Sequence, residues 1–414
     1  MVIDIVTLVK VKVPKGLTCV QSILIWLLSL GHLVVDAGQG VVPVLLPVLK
    51  EDFHLSYAAV GAVTLVASVS SSVVQPLFGL LSDRVSSRWL LPVGCILTAL
   101  GLALAGWAPF YSLVLFGVFL SGLGIAGYHP EGSRNTFFIA RGGRGASMAL
   151  YALGGNVGFA LGPLLGTALL ALDGRKGVAG FLLPAGAVAL LLWAALPAIV
   201  RAAGEREDEH RRVMADQDGN HNKPRLPWKS LGLLASVVTI RSWIHAGIIN
   251  YIPLYFVSYL KMPDAYASRL LTLFLLAGAL GTLVGGPLAD RWGRRNILLL
   301  SFVAGLPLLI LFPRVHGFWQ GAALFGAGFA IIASFAVTVV FAQELVPQNV
   351  GLASGLMLGF AIGMGGVVVP LLGLVADRWG VPATLDVIAA LPVPAFFLSL
   401  LLPGKSPPHP AEKV

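Results

Sequence analysis

The sequence predicts an all-α membrane protein: twelve transmembrane helices in two pseudo-symmetric six-helix bundles, each built of inverted three-helix repeats. Three observations lead there. The 414 residues are 57% hydrophobic and only 11% charged, with a mean hydropathy of +0.86. Long apolar stretches recur along the whole chain, and one particular helix ending recurs with them. An ordinary soluble domain carries about 25% charged residues. With less than half that share a water-facing surface cannot be covered, so most of the surface must face lipid.

Crossing the hydrocarbon takes about 20 apolar residues. Segmented on that length, the chain gives helices near 18–49, 57–81, 89–108, 110–139, 147–172, 178–200, 231–259, 267–289, 296–312, 318–343, 350–376 and 384–402. Several exceed the minimum and are expected to tilt or kink. The first follows Lys10, Lys12 and Lys15, as the core of a secretory signal would. It runs from about Cys19 to Leu49, far too long for a signal, and is read as a retained helix. The polar stretch 201–229, with its run from Glu205 to Arg212, has no apolar period and falls at mid-chain. It is read as a linker between an N-terminal bundle, 1–200, and a C-terminal bundle, 230–414, and is too short for a folded signalling domain.

The loops then alternate between two sides. One side takes 20 of the 28 Lys and Arg residues and the other takes 7, with Arg241 left inside a helix. The excess places both termini in the cytoplasm, as the positive-inside rule requires, and the protein in a cell inner membrane. This distribution also excludes a nucleic-acid reading of the net charge of +9, because no basic face with interleaved aromatics exists. Cys19 and Cys95 lie in apolar segments and make no CxxC pair, so no disulfide framework or zinc role follows. No HExxH, serine elbow, phosphate loop or convincing metal cluster is present. No enzyme, metal or cofactor is expected.

The recurring ending is Gly-xxx-Asp-Arg. Gly79-Leu-Leu-Ser-Asp83-Arg84 closes helix 2, and Gly286-Pro-Leu-Ala-Asp290-Arg291 closes helix 8, 207 residues later. A third copy, Gly373-Leu-Val-Ala-Asp377-Arg378, closes helix 11 on the other side of the membrane, and a worn Asp173-Gly174-Arg175 follows helix 5. Two copies on each side are the mark of inverted three-helix units. Helix 5 also carries Gly154, Gly158, Gly162 and Gly166 at every fourth position, and helix 11 carries Gly355, Gly359 and Gly363. Such stripes admit close helix approach in lipid. Tight static packing and a sliding surface both remain open readings.

Charge inside a membrane is costly and reads by default as functional. The candidates are Asp36 in helix 1, Glu131 and Arg134 in helix 4, and Arg241 in helix 7, joined by His32, His129 and His245 in the same three helices. His32, Asp36 and Gln39 lie at i, i+4 and i+7 on one face. Asp36 can gain and lose a proton as its exposure changes; the alternative is a structural Asp tied to His32. Tyr128 and Glu131 share a face of helix 4 with Arg134 beside them, while His129 points away unless Pro130 kinks the helix. Glu131 with Arg134 reads equally as proton coupling, an interfacial ion pair or a partner for the Asp83 loop. Arg241 and His245 share a face of helix 7 and suit an anion or a counter-charge from the other half; Asn250 falls off that face.

GLLSDRVSSRW and GGPLADRWGRRN resemble the loop signature of the major facilitator superfamily. GGNVGFALGPLLG, with Pro163 between Gly162 and Gly166, is similar to the Gly-Pro signature of that superfamily's proton-coupled exporters, though Thr167 replaces the second terminal glycine. A narrower likeness, to the fosmidomycin-resistance branch, runs through His32-xxx-Asp36, Ser72-Val-Val-Gln75-Pro76, Tyr128-His-Pro-Glu-Gly-Ser-Arg134, Gly154-Gly-Asn156-Val-Gly158 and Gly351-Leu-Ala-Ser-Gly355-Leu-Met357.

The resemblance implies a monomeric, proton-driven exporter of small drug-like or anionic molecules, hence antibiotic resistance, with helices 1, 4, 7 and 10 around a central cavity. Asp36 and Glu131 are then the proton-coupling residues. His32, Gln39, Tyr128, His129, Arg134, Asn156, Arg241, His245 and Asn250 become cavity or substrate residues. Gly79, Asp83, Arg84, Gly286, Asp290, Arg291 and Arg294 form a cytoplasmic latch. The first latch copy departs from the pattern, with Ser86 and Ser87 in the place of the usual Gly-Arg-Arg portion and Arg88 read as one place late. Uptake of an organic anion by symport or uniport, and a non-transporting receptor or scaffold, are the competing functions.

Overall fold

Backbone amides in a bilayer core have no water to bond, so a spanning chain must satisfy them internally, and a helix does so within one segment. The computed structural model describes residues 19–75, 77–78, 87–140, 144–217, 227–346, 356–357 and 363–404. Among these residues all regular structure is helical. In the N-terminal half, α1 is Cys19–Asp52, α2 Tyr57–Ser68 continued by a π-helical turn Val69–Val73, α3 Leu90–Trp107, α4 Tyr111–Ile139, α5 Arg144–Asp173 and α6 Leu182–Gln217. In the C-terminal half, α7 is Trp228–Pro253 continued by a π turn Leu254–Tyr259, α8 Asp264–Trp292, α9 Arg294–Leu311 and α10 Phe318–Leu345. α11 is Gly365–Trp379, and α12 is Val381–Ala390 continued, across a break at Leu391, by Pro392–Leu400. Leu391 keeps helical dihedrals, and the break falls where Pro392 has no N–H to donate to the preceding turn.

Among the described residues every expected span has a helix, with the ends of the spans expected at 57–81 and 350–376 falling outside them. Side chains such as Leu172, Leu183, Leu190 and Phe397 stand largely exposed, a surface tolerable only against lipid. One difference concerns the polar stretch read as a linker. α6 runs on through it to Gln217. Its Ala, Glu and Arg residues are good helix formers, so a polar helix projects past the apolar span. The first latch residues, Gly79, Asp83 and Arg84, lie outside the described residues, as do Gly355 and Gly359.

The glycine stripe of α5 is packed against α1. A Cβ on Gly154 would stand 2.2 Å from the Ser29 carbonyl oxygen, and one on Gly158 2.1 Å from that of Leu33. Gly162 meets the Ala37 carbonyl and Gly40, and Gly166 meets Val44. The stripe thus fixes helix distance within one half. The C-terminal half repeats the device between α8 and α10: Gly281 and Gly285 of α8 lie against the Phe329 and Ala333 carbonyls of α10.

The two halves meet along α2 against α11 and α5 against α8, at the membrane face opposite the α6–α7 connection, here termed the far end. There Asp377 at the end of α11 reaches the first turn of α2. Its carboxylate oxygens accept from Tyr57 N at 2.6 Å and Ala58 N at 3.0 Å, while the Ser56 hydroxyl accepts from Ala59 N at 3.1 Å. Three amides with no helical partner are thereby satisfied. One turn further in, Gly61 packs on the Pro370 backbone, and the Thr64 hydroxyl donates to Asn250 Oδ1 at 2.6 Å. The hydroxyls of Thr167 and Ser268 bond across α5 and α8. Within the N-terminal half, Arg175 of the worn copy ties the ends of α1 and α3, donating to Asp52 and to the Gly106 and Ala108 carbonyls, each at 2.7 Å.

At the opposite, near end, Arg294 pairs with Glu344 at 3.0 Å and Arg295 donates to the Ser399 and Leu400 carbonyls. Both contacts stay inside the C-terminal half. Arg291 is exposed, and a Cβ on Gly286 would meet nothing within 4 Å. Among the described residues, Asp377, Thr64 and Thr167 bond across the halves at the far end, and close packing of α11 on α2 continues inward to Gly363 beside Ser72.

Candidate substrate and coupling site

His32 and Asp36, one turn apart at mid-length of α1, bring Nε2 and Oδ2 to 3.2 Å. From α4, His129 Nε2 stands 2.8 Å from Asp36 Oδ1. Helical spacing alone had turned His129 away from the other polar residues of α4. In the structure both Tyr128 and His129 reach α1, which lies between their directions: the Tyr128 hydroxyl donates to the Leu28 carbonyl at 2.6 Å, over the bare Gly31. α5 completes the site. The Tyr151 ring stacks on His32 with centroids 4.2 Å apart, and its own backbone carbonyl lies 2.8 Å from His32 Nδ1.

That last contact fixes the chemistry. A carbonyl only accepts, so His32 Nδ1 must carry the hydrogen. In a neutral ring Nε2 is then a bare lone pair, and it faces a carboxylate oxygen. Two acceptors at 3.2 Å repel unless a proton or another cation lies between them. The cluster is therefore a place where positive charge is wanted, inside the membrane, with the Asp36 side chain only 14% exposed.

Glu131 goes elsewhere. It is buried, accepts from Asn135 Nδ2 at 2.9 Å through Oε1, and leaves Oε2 without a hydrogen-bond partner among the described residues. Asn135 in turn accepts from Arg88 Nε at 3.0 Å. Arg88, which follows Asp83 by five residues as Arg295 follows Asp290, is not displaced as read from the sequence and lies buried against α4. Arg134 is half-buried, its guanidinium 6.0 Å from the Phe138 ring centroid.

In the other half, Arg241 of α7 is buried, at 4% exposure, with its guanidinium 4.8 Å from the Phe335 ring centroid of α10. Its Nη1 has no hydrogen-bond partner among the described residues. His245, one turn on, lies between Phe274 of α8 at 5.9 Å and Phe159 of α5 at 6.5 Å. That pair of contacts spans the two halves. Asn250 belongs to the far-end seam through Thr64, not to this face. Gln39 is half-buried and Asn156 exposed. Tyr151 and Gly155 were missed; the signal available was their place on the stripe-bearing helix, at Tyr151 and within Gly154-Gly155-Asn156.

A sequence model of the Major Facilitator Superfamily matches residues 28–355 and 233–414. The chain belongs to that superfamily. It is 33% identical to the fosmidomycin resistance protein of Escherichia coli strain K12 over 386 residues, 91% of each chain. It is 34% identical to the MFS-type transporter YfnC of Bacillus subtilis strain 168 over 393 residues, 95% of each. Among solved structures it resembles a bacterial homolog of the human lysosomal transporter Spinster, with TM-score 0.75 and 15% identity over 93% of this chain and 97% of that one. It also resembles the E. coli xylose transporter XylE, with TM-score 0.70 and 13% identity over 94% and 98%. These structural likenesses establish the fold. The protein is a multi-pass membrane transporter of twelve helices, and not an enzyme.

Proposed function

We propose that this transporter is a proton-coupled exporter of small anionic or drug-like molecules in a bacterial inner membrane, working as a monomer by alternating access. The observation that carries the reading is the Asp36 carboxylate held between His32 and His129 inside the membrane, joined in the other half by a buried Arg241 with donor capacity to spare. A proton arriving at the first group and an anion at the second change the charge of the two halves independently. Each can then bias one facing state over the other. Glu131, buried with one oxygen unpartnered, is the second proton-bearing candidate.

Direction is supported by the Gly-Pro signature of α5 and by two relatives, the fosmidomycin resistance protein and the sugar efflux transporter A of Dickeya chrysanthemi, 27% identical over 371 residues. With twenty of 28 basic residues on the near-end side, that side and both termini are cytoplasmic. The far-end bonds of Asp377, Thr64 and Ser268 support a state closed on that side and loading from the cytoplasm. The latch residues at the near end, Asp83 with Arg84 and Asp290 with Arg291, would close in the opposite state. Arg241 equally suits inward transport of an organic anion, the competing reading.

Flux into proteoliposomes under an imposed pH gradient tests this. Wild-type flux should follow the gradient outward with respect to the cytoplasmic face and be lost in Asp36→Asn. Full gradient-driven flux in both Asp36→Asn and Glu131→Gln eliminates coupling through these residues, and flux with the gradient sign reversed selects uptake.

A further inference from the structure

The cluster on α1 and α4 is also a complete metal donor set. His32 Nε2, His129 Nε2 and an Asp36 oxygen all lie within 4.8 Å of one another. Two imidazoles and one carboxylate suit divalent first-row transition metals, Zn2+ foremost, and poorly suit Mg2+ or Ca2+. The spacing fits as well. Two donors bound to one ion at about 2.1 Å stand about 3.0 Å apart at right angles and about 3.4 Å apart in a tetrahedron. Here Nε2 of His32 and Oδ2 of Asp36 are 3.2 Å apart. The imidazole rings are set edge to face at 76°, with centroids 4.8 Å apart, so their nitrogens converge on the carboxylate without stacking.

Two independent features strengthen this. A metal-binding imidazole ordinarily donates its other N–H to a carbonyl or carboxylate, which fixes its tautomer and aims its lone pair. His32 does so to the Tyr151 carbonyl at 2.8 Å. The second feature is Gly155 on α5. A Cβ there would sit 2.4 Å from His32 Nε2 and 2.5 Å from Asp36 Oδ2. A Cβ there would also stand 2.5 Å from His32 Cε1, so the missing methyl is not the ion's own position; its absence keeps the α5 side of the two donor atoms clear. The three side chains are 13%, 14% and 23% exposed, so an ion can reach them.

We propose that His32, Asp36 and His129 bind a divalent transition-metal ion, Zn2+ by preference, beside Gly155, and that the bound ion arrests transport. The ion supplies the positive charge the facing acceptors require, so it occupies the place a coupling proton would take. A fourth coordination position stays open to water or to an anionic group. The proposal shares its residues with the proton reading above, but metal binding is measured without any flux.

The experiment is calorimetric titration of the purified full-length protein, freed of any polyhistidine tag, with ZnCl2, NiCl2 and MgCl2. One Zn2+ per chain should bind at micromolar concentration, Ni2+ more weakly or equally, and Mg2+ not at all. His32→Ala and His129→Ala should each weaken Zn2+ by about tenfold or more, the scale on which even outer partners of a metal act. Gly155→Ala should do the same with every donor retained. Should a histidine variant fail to fold, the zinc X-ray absorption edge of the wild type decides: two imidazole nitrogens support the site, and a shell of oxygens alone overturns it. Absence of Zn2+ binding, or undiminished binding in folded His32→Ala and His129→Ala, also overturns it. Zinc binding with flux indifferent to the pH gradient keeps the metal site and removes the proton reading. Gradient-driven flux without zinc binding does the reverse.

Discussion

Replacing Asp377 should open the far-end seam. Its carboxylate, carried by the C-terminal half, is bonded to the first two amides of α2 in the N-terminal half, at 2.6 and 3.0 Å. An acidic cap of this kind contributes through the bonds themselves, about 0.5–2 kcal/mol, and through the positive end of the helix dipole, about 0.3–1 kcal/mol at an exposed site. Asp377 is exposed, so the lower part of each range applies, giving about 1 kcal/mol for the whole contact. Because it exists only when the halves are joined at the far end, removing it weakens that state alone. Asp377→Ala should therefore move the equilibrium between facing states about fivefold toward the far-end-open form, and Asp377→Asn, which keeps one acceptor, by less. Electron–electron distance measurements between spin labels at the exposed Ser112 and Phe318, in a background lacking Cys19 and Cys95, read the two populations directly. Unchanged populations in a folded Asp377→Ala protein would refute the assignment of this contact as a seam between moving halves.

Other substitutions probe the remaining parts. Thr64→Val leaves Asn250 Oδ1 without its donor in a buried seam and should also favour far-end opening, by about 1–3 kcal/mol, read by the same distances. Arg241→Met should raise the melting temperature of detergent-solubilised protein while abolishing binding of anionic ligands, because a buried charge with an unpartnered Nη1 is held at a cost to stability; an unchanged ligand-induced thermal shift would count against an anion site. Gly158→Val should destabilise by about 1–3 kcal/mol or more, since its Cβ alone would stand 2.1 Å from a backbone oxygen of α1, whereas the open position Gly186 should accept alanine without loss; thermal unfolding of the pair checks this.

The twelve helices were legible because lipid imposes a length and forbids charge, and both are properties of one segment at a time. The two halves were legible because Gly-xxx-Asp-Arg returns after α2, α8 and α11. The use of that ending was not. Nothing local in Asp377 says that its partners are the amides of Tyr57 and Ala58, since a chain separation of 320 residues hides the contact. His32 and Asp36 shared a face by helical period, and the structure keeps them together. His129 was turned away by the same period, because a helical wheel gives direction about one axis and not the position of the neighbouring helix. The Tyr151 carbonyl and the bare Gly155 escape any reading by residue chemistry: one acts through its backbone and the other through the side chain it lacks. The charged stretch that ends α6 was read by its polarity, while its helix-forming residues determine its local structure as far as Gln217.

The most direct test of the account follows protons and substrate together. Proteoliposomes holding a pH-sensitive dye are given an anionic substrate on one side, with no gradient imposed. The account predicts substrate-dependent proton movement across the membrane in wild type, opposite in direction to the substrate, and none in Asp36→Asn. Substrate flux at the wild-type rate with no proton movement, or proton movement unaltered by Asp36→Asn, would contradict it.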